Sequence, residues 1–381
     1  MNSIKKLQKC NSIADVKALF EKCMPLPIRD FVIGGADDEI CIKDNESVFD
    51  RYYFAPKFCQ NIQSTDTSVE VMGVKSASPV ICSPFGGHKL VHSAGELATG
   101  KAFSNAKIPF SLSTYASVDM ETIAGKVSGH KFFQLQATTN RKMMQALIER
   151  AKTLAFDGLI VTVDNPIHGN RERDKRAGFG FPTKLSIRSV TSMLAHPKWL
   201  YGFVTQGFKF ENFRAEFEQG KSLKEIIENF SCSVSWEDIK FIREQWPGKL
   251  AIKGILHPDD ASQAVAIGAD AIYISNQGAR QYDFTTPSFY ALEEVVSAVG
   301  GKIEIIMDGG IRRGSDVVKA LALGATACST ARPFAYGLGA AGQQGVEFVI
   351  NQFQEEITRA MMICGAKTVS DLSKDILRKR Y

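Results

Sequence analysis

The chain has 381 residues, of which 44% are apolar and 23% are charged, and its formal net charge is +5. These proportions indicate a globular protein with a sizeable core, and so mild a basic excess argues against nucleic acid as a partner. The sequence contains no apolar run of ~18 residues or more, so it predicts no membrane-spanning helix. The N-terminus lacks the apolar core of a secretory signal, and the eight cysteines show neither zinc nor disulfide spacing. We therefore expect a cytoplasmic protein without a bound metal.

Eight short apolar runs, rich in β-branched residues, predict strands that are buried on both faces, as in a parallel sheet. They cover residues 78–86, 108–114, 131–136, 158–164, 249–255, 271–276, 303–310 and 327–333. Helical patterns fill most of the gaps, most clearly at 139–156, 258–268 and 314–324. Eight strands alternating with helices over roughly 250 residues indicate an α/β fold, the (β/α)8 barrel. A doubly wound sheet is the rival, but "SPFGGHK" is a poor match to the phosphate loop expected after its first strand.

We expect a single domain over residues 1–381. Its parts are an N-terminal helical segment at 1–75, with helices near 13–23 and 25–34, the barrel at 76–365, and a C-terminal tail at 366–381. Residues 171–235 form a long insertion after the fourth strand. The aromatic and weakly basic part at 189–210 predicts a lid, a membrane-surface contact or, more simply, a loop that packs on the barrel's own helices.

Polar residues follow the later predicted strands, and barrel enzymes build their sites at these strand ends. They are Asp164, His168 and Arg171 after strand four, Lys253 on strand five, Gln277 and Arg280 after strand six, "DGGIRRG" after strand seven and Arg332 after strand eight. A buried lysine is costly unless it offsets negative charge, so Lys253 predicts an anionic partner at the barrel end. Glycines and arginine forks in "DGGIRRG" and "STARP" predict a phosphate cradle.

These segments resemble the FMN-dependent α-hydroxy acid dehydrogenase/oxidase family along the whole chain. The matching motifs are "IRDFVIGGADDE", "TVDNP", "IKGI", "SNQGARQYD", "DGGIRRGSDVVKALALGA" and "ARPFAYGL". The resemblance implies a (β/α)8 barrel with FMN at its carboxyl end, and a homo-oligomer, a tetramer in that family. Positions that match the family's flavin contacts are Pro84, Phe85, Gly86, Ser113, Gln134, Thr162, Lys253, Ser275, Asp308, Gly310, Arg312, Ala331 and Arg332. Ala331 stands where the family has glycine.

The resemblance also implies that the substrate side has changed. The family's active-site histidine is Gln277 here, although its aspartate partner remains as Asp164. Two family tyrosines are replaced by Gln136 and Phe31. Both arginines that bind the substrate carboxylate remain, as Arg171 and Arg280, and Tyr115 matches a position that lines the pocket.

Gln277 cannot act as a general base, and the loss of such a base typically lowers a rate by about 10²–10⁴-fold. We therefore expect impaired oxidation of ordinary 2-hydroxy acids and an unusual substrate that bears a carboxylate or phosphate. His168 is the candidate replacement base, with His88 second, and His92 is expected to be structural. Two alternatives stay open at this point: a non-redox flavin enzyme and an FMN-binding pseudoenzyme.

Overall fold

The computed structural model describes residues 3–179, 185–213, 220, 222, 225–226 and 233–380. Its strands are β1 (Tyr52–Phe54), β2 (Val69–Val71), β3 (Val74–Ser76), β4 (Val80–Cys82), β5 (Phe110–Ser113), β6 (Lys131–Gln136), β7 (Gly158–Thr162), β8 (Lys249–Ile255), β9 (Ala271–Ile274), β10 (Glu304–Asp308), β11 (Ala327–Thr330) and β12 (Leu377–Lys379). The helices up to the fourth barrel strand and its insertion are α1 (Ser3–Leu7), α2 (Ile13–Cys23), α3 (Leu26–Ile33), α4 (Ile40–Ser47), α5 (His88–Val91), α6 (Gly95–Asn105), α7 (Met120–Lys126), α8 (Arg141–Thr153), α9 (Glu172–Arg176), α10 (Ile187–Leu194) and α11 (Pro197–Gln206). The later helices are α12 (Trp236–Gln245), α13 (Pro258–Ala266), α14 (Ser288–Val299), α15 (Gly314–Ala322), α16 (Arg332–Ala341) and α17 (Gln343–Cys364). Short 3-10 turns lie at Val48–Arg51, Glu211–Phe213, Val369–Asp371 and Lys374–Ile376.

Strands β4 to β11 form one parallel sheet in the order β4-β11-β10-β9-β8-β7-β6-β5. The two ends of this order, β4 and β5, lie beside each other, so the sheet closes into a nearly complete barrel. Most residues of these strands are buried, which explains why their hydrophobicity is continuous rather than alternating. Helices connect successive strands, and the predicted (β/α)8 barrel is confirmed.

Each of the eight predicted apolar runs contains one barrel strand, but the predicted helices are shorter than their patterns. The helix expected at 139–156 is α8, Arg141–Thr153. It begins after Asn140, whose side chain accepts a hydrogen bond from the backbone N–H of Met143, an N-cap that ends the preceding loop. It ends before Ala155, whose φ of 52° is left-handed and stops the helix.

The segments outside the barrel contain strands as well as helices. β1 pairs antiparallel with β12, so the segment that precedes the barrel is joined to the C-terminal tail. The β2–β3 hairpin lies against the amino ends of the barrel strands, where the backbone N–H of Met72 donates to Glu304 Oε2 at 2.8 Å. Met72 is fully buried there. The hairpin therefore covers the amino end of the barrel, and the carboxyl end, called the mouth below, is the end open to ligands.

The described part of the insertion after β7 is fixed to the barrel by buried polar contacts. Trp199 donates its indole N–H to the carbonyl of Leu90 at 2.8 Å. Asn212 is 2% exposed and donates to the carbonyls of Ser113 and Thr114 at the carboxyl end of β5. Because these carbonyls lie at the mouth, the insertion forms part of its wall.

Candidate active site at the barrel mouth

A buried ion pair lies at the centre of the mouth. Lys253 Nζ on β8 donates to Asp308 Oδ2 on β10 at 2.7 Å, and the two side chains are each 5% exposed. Ser275 lies between them: it accepts from Lys253 at 2.7 Å and donates to Asp308 at 2.6 Å. Ser329 donates to the other oxygen of Asp308. Both charges are thus paired and hydrogen-bonded, as burial requires.

Three other predicted flavin contacts form a chain across neighbouring strands. Ser113 donates to Gln134 Oε1 at 3.0 Å, and Gln134 Nε2 donates to Thr162 Oγ1 at 2.9 Å. All three residues are buried. Gln136, the predicted substrate contact on the same strand, reaches the carbonyl of Thr162 at 3.5 Å. The second, third and fourth barrel strands, β5, β6 and β7, therefore present a fixed row of amide and hydroxyl groups.

Asp164 and Gln277 are in direct contact. Gln277 Nε2 donates to Asp164 Oδ1 at 2.5 Å. Burial raises the pKa of Asp164 to about 6, partly offset by the charge of Lys253 and by the Gln277 hydrogen bond. Gly254 makes room for this carboxylate, because a Cβ at that position would lie 2.5 Å from Asp164 Cγ. Gly254 also has a φ of 108° and lies in an irregularity between β8 and β9, so glycine is required there for two reasons.

A second glutamine fixes the orientation of Gln277. Gln281 Nε2 donates to Gln277 Oε1 at 3.1 Å and also to Asn165 Oδ1. Gln281 Oε1 in turn accepts the backbone N–H of Gly169 at 3.0 Å. Because the carbonyl of Gln277 faces a donor, its NH₂ group must face Asp164.

The two predicted carboxylate-binding arginines, Arg171 and Arg280, lie side by side. Arg171 Nε donates to the carbonyl of Arg280 at 3.2 Å. Arg280 donates to the carbonyl of Phe31 at 2.7 Å. Its guanidinium carbon lies over the Phe31 ring, 4.8 Å from the ring centroid. Burial, followed by repulsion from Arg171, holds the pKa of Arg280 well below its ordinary range. The buried carboxylate of Asp174 lies in the field of both arginines and offsets part of this repulsion.

Aromatic side chains surround the predicted substrate position. Tyr115 contacts Phe210 of the insertion at 5.5 Å between ring centroids, and its hydroxyl lies within the field of Arg171. Phe31 packs on Phe179 at 5.1 Å on the other side. The predicted contacts Pro84, Phe85 and Gly86 follow β4, and a Cβ on Gly86 would lie 2.6 Å from Tyr115 Cβ. The structure thus brings the first loop of the barrel against the predicted pocket residue.

The two candidate replacement bases occupy different environments. His88 is 1% exposed, and both ring nitrogens are used: Nε2 contacts the carbonyl of Phe85 at 3.1 Å and Nδ1 contacts Thr99 Oγ1 at 3.0 Å. Burial lowers the pKa of His88. These contacts give His88 a structural role. His168 is exposed on the loop that follows Asp164.

The predicted phosphate loop follows β10. Gly309 has a φ of 95°, and a Cβ added to it would enter open space. Gly310 is tightly packed, since its Cβ would lie 2.1 Å from the carbonyl oxygen of Asn45. Arg312 lies in the same loop and pairs with Glu46 at 2.7 Å. Arg332, which follows Ala331 at the start of α16, donates to the carbonyls of Val32, Gly34 and Gly278.

The comparison with known proteins identifies this arrangement. The model of the FMN-dependent dehydrogenase family matches residues 20–379. The chain belongs to the FMN-dependent dehydrogenase family. FMN is its cofactor, and the protein is an FMN-dependent oxidoreductase of the 2-hydroxy acid oxidase/dehydrogenase type. This result favours the enzyme over the alternatives of a pseudoenzyme or a non-redox flavin protein.

Similar proteins cover nearly the whole chain. An L-lactate dehydrogenase of Haemophilus influenzae is 35% identical over 373 residues, covering 96% of this chain and 98% of the relative. A peroxisomal (S)-2-hydroxy-acid oxidase of Oryza sativa is 34% identical over 364 residues, covering 95% and 94%. Among solved structures, the monotopic membrane protein (S)-mandelate dehydrogenase superposes with a TM-score of 0.93 at 33% identity, covering 98% of this chain and all 100% of that one.

The residues at the mouth fit FMN. The open space at Gly309, beside the cation of Arg312, suits a phosphate that approaches the backbone closely. The Ser113–Gln134–Thr162 row and the ammonium of Lys253 supply donors and acceptors of the kind that the polar edge of a flavin ring requires. Which of these groups contact the flavin remains a prediction.

Four residues that position groups at the mouth were not predicted from the sequence. They are Gln281, Asp174, Gly254 and Glu46. Gln281 could have been found, because it lies four residues after Gln277 in the same polar loop. No sequence signal connects Glu46 with Arg312, since 266 residues separate them.

Asp164→Asn should change how the stability of the protein depends on pH. The pKa of Asp164 is raised to about 6 from its usual 3.8, so the folded protein holds this proton more tightly than the unfolded chain. Wild-type stability should therefore fall as the pH rises from about 4 to about 6, whereas the variant, which cannot titrate there, should escape this loss. The variant's advantage in free energy of unfolding should grow by about 1–3 kcal/mol over that window.

Urea unfolding of the two proteins at a series of pH values measures this difference. Asp259→Asn is the control, because the Asp259 side chain is 90% exposed. A constant difference between Asp164→Asn and wild type across the window would show that Asp164 is not held in the protonated form by burial.

Proposed function

We propose that this enzyme oxidises a small substrate that carries a carboxylate or a phosphate, and that it oxidises ordinary 2-hydroxy acids poorly. The observation that carries the proposal is the contact between Gln277 and Asp164 at 2.5 Å. The amide occupies the position at which the resemblance places the family's histidine. It donates to the carboxylate and has no lone pair that accepts a proton near neutral pH.

The two partly buried arginines support an anionic substrate. Repulsion from Arg171 is the second cause, after burial, of the lowered pKa of Arg280. An anion placed between the two guanidinium groups would remove this repulsion and satisfy their remaining donors. Arg171 and Arg280 would therefore hold the carboxylate or phosphate, while Tyr115, Gln136 and Phe31 would shape the rest of the pocket.

The remaining groups would handle the proton. When bound, FMN supplies the acceptor for the hydride that leaves the substrate. His168, on the exposed loop after β7, is the proposed base, and Asp164, four residues earlier, is a second titratable group. Gln277 would keep Asp164 oriented through its amide. Lys253, paired with Asp308, places a cation at the centre of the mouth.

We predict slow reduction of the flavin by glycolate, L-lactate and L-mandelate. The base at position 277 is missing, and its loss typically costs about 10²–10⁴-fold in rate. Gln277→His alone should restore little, because Phe31 and Gln136 remain and because the new imidazole would lose the amide contact with Gln281. Anaerobic stopped-flow absorbance of the flavin measures these rates. Gln263→His, at an exposed position of α13, is the matched control. Rapid reduction of the unmodified protein by any of the three acids would contradict the proposal.

The arginine pair gives a prediction about anion binding. Arg280→Lys should weaken the binding of benzoate or phosphate by about tenfold or more, because lysine cannot form two parallel hydrogen bonds with one anion. Difference absorbance of the bound flavin during anion titration measures the dissociation constant. Arg141→Lys, on a surface ion pair with Asp238, should change nothing. Equal affinities of Arg280→Lys and wild type would exclude Arg280 from the anion site.

We also propose that the insertion contacts a membrane surface through α10 and α11. Their outer faces expose Ile187 (85%), Tyr201 (73%), Val204 (70%) and Leu194 (64%), while the inner face is anchored through Trp199. Such a fixed and exposed apolar face is typical of an interaction surface. No helix among the described residues is long and apolar enough to cross a bilayer. The similar (S)-mandelate dehydrogenase structure is described as a monotopic membrane protein, which supports the proposal.

The membrane contact predicts that the flavin-bound protein floats with vesicles of mixed zwitterionic and anionic phospholipids. The double change Ile187→Asp and Val204→Asp should lower partitioning by about tenfold or more, because two apolar side chains would no longer be buried in the interface. Ile167→Asp, at a position 64% exposed on a different loop, is the control. Failure of the wild-type protein to float, or equal flotation of the double variant, would contradict this surface.

A further inference from the structure

We propose that Glu46 competes with the flavin phosphate for Arg312 and so weakens FMN binding. The inference rests on FMN as the cofactor and concerns a residue outside the predicted flavin contacts. Glu46 Oε1 lies 2.7 Å from Arg312 Nη2. The Arg312 side chain is only 19% exposed, whereas that of Glu46 is 42% exposed. One of the guanidinium's two terminal nitrogens is therefore already used by a carboxylate.

A second hydrogen bond of Arg312 further reduces the number of N–H groups that it can offer to a phosphate. Its Nη1 donates to the carbonyl of Ile311 at 2.9 Å. A phosphate that approached the loop at Gly309 would meet a guanidinium whose charge is partly neutralised and whose terminal nitrogens both have acceptors. The guanidinium has three further N–H groups, so a phosphate can still gain a fork-like contact, but it gains it with a cation whose charge Glu46 partly neutralises.

Helix α4 holds Glu46 against the phosphate loop. Asn45, the preceding residue, exchanges two hydrogen bonds with Asn276, at 3.1 and 2.9 Å. The carbonyl of Asn45 packs on Gly310 so tightly that a Cβ there would lie 2.1 Å away. At the start of the same helix, Asp283 accepts the backbone N–H groups of Ile40 and Cys41. The helix backbone is therefore fixed, and the carboxylate cannot leave the loop by a movement of α4 as long as these contacts hold.

The negative charge of Glu46 acts on Arg332 as well as on its ion-pair partner Arg312. Arg332, at the start of α16, lies in the field of both Arg312 and Glu46. A phosphate placed near these two arginines would experience the negative charge of Glu46 along with their positive charges. Coulomb repulsion between the phosphate and Glu46 falls slowly with distance in a partly buried site, so displacement of the side chain would relieve only part of it.

Glu46→Gln tests the inference. The exchange keeps the shape of the side chain and removes its charge at a partly exposed position, so the fold should be preserved. Holoprotein is stripped of its flavin, and FMN or riboflavin is titrated back while flavin fluorescence is followed. We expect the dissociation constant of FMN to fall about two- to fivefold, the range for a charge pair near the surface. Riboflavin, which lacks the phosphate, should bind the variant and the wild type equally. High salt should reduce the gain for FMN.

Glu121→Gln is the matched control, because Glu121 forms a similarly exposed ion pair with Arg150, away from the phosphate loop. Unchanged or weaker binding of FMN by Glu46→Gln would overturn the inference, as would an equal gain for riboflavin. Wild-type protein that fails to take up FMN at all would overturn the cofactor assignment together with the inference, and that result is distinct from normal uptake with no effect of the variant.

Discussion

The buried pair between Lys253 and Asp308 is the contact on which the arrangement of the mouth depends. Two charges with side chains 5% exposed are tolerable only if both are paired and their remaining hydrogen-bonding groups are used. The serines at 275 and 329 complete this requirement. Since the four residues come from or directly follow four consecutive strands, β8 to β11, the pair also fixes how these strand ends stand relative to one another. Removal of either charge would leave the other buried alone, which is far more costly than never having buried the pair.

That pairing leaves the other charges of the mouth unequally compensated. Asp164 has Lys253 only at longer range and an uncharged amide as its direct partner, so burial dominates and its pKa rises. Across the mouth, Arg171, Arg280 and Arg332 lie close enough to influence one another, and they donate mainly to backbone carbonyls. Carbonyls satisfy hydrogen bonds but carry no net charge. The positive side of the mouth therefore suits the anionic substrate proposed above, and Asp164 on the other side keeps its proton to a higher pH than an ordinary carboxyl group does.

The barrel could be predicted from the sequence because its strands are buried on both faces and leave continuous apolar runs. β1, β2, β3 and β12 were missed, because three-residue strands in two-stranded pairs leave no such pattern. At the mouth, residue types at strand ends located Lys253, Asp308 and the arginines. Their partners could not be derived. Arg332, which is predicted to contact the phosphate, donates to carbonyls of α3 and of the loop after β9, which only the folded chain brings together.

The loop after β9 shows why a single residue type was a poor guide to this site. Gln277, Gly278 and Ala279 all have left-handed φ angles, of 50°, 63° and 60°. This compact turn directs Gln277 toward Asp164 and brings Gln281 behind it, where Gln281 also binds the backbone of the β7 loop at Gly169. The amides therefore act as one connected network that ties two loops and a carboxylate together. A histidine at 277 would carry its donor and its acceptor on a rigid ring of different reach, so the contacts with Asp164 and Gln281 would have to shift. The glutamine is thus matched to its surroundings rather than being an isolated loss, and any chemistry at this mouth must work with an amide whose nitrogen and oxygen each already have a partner.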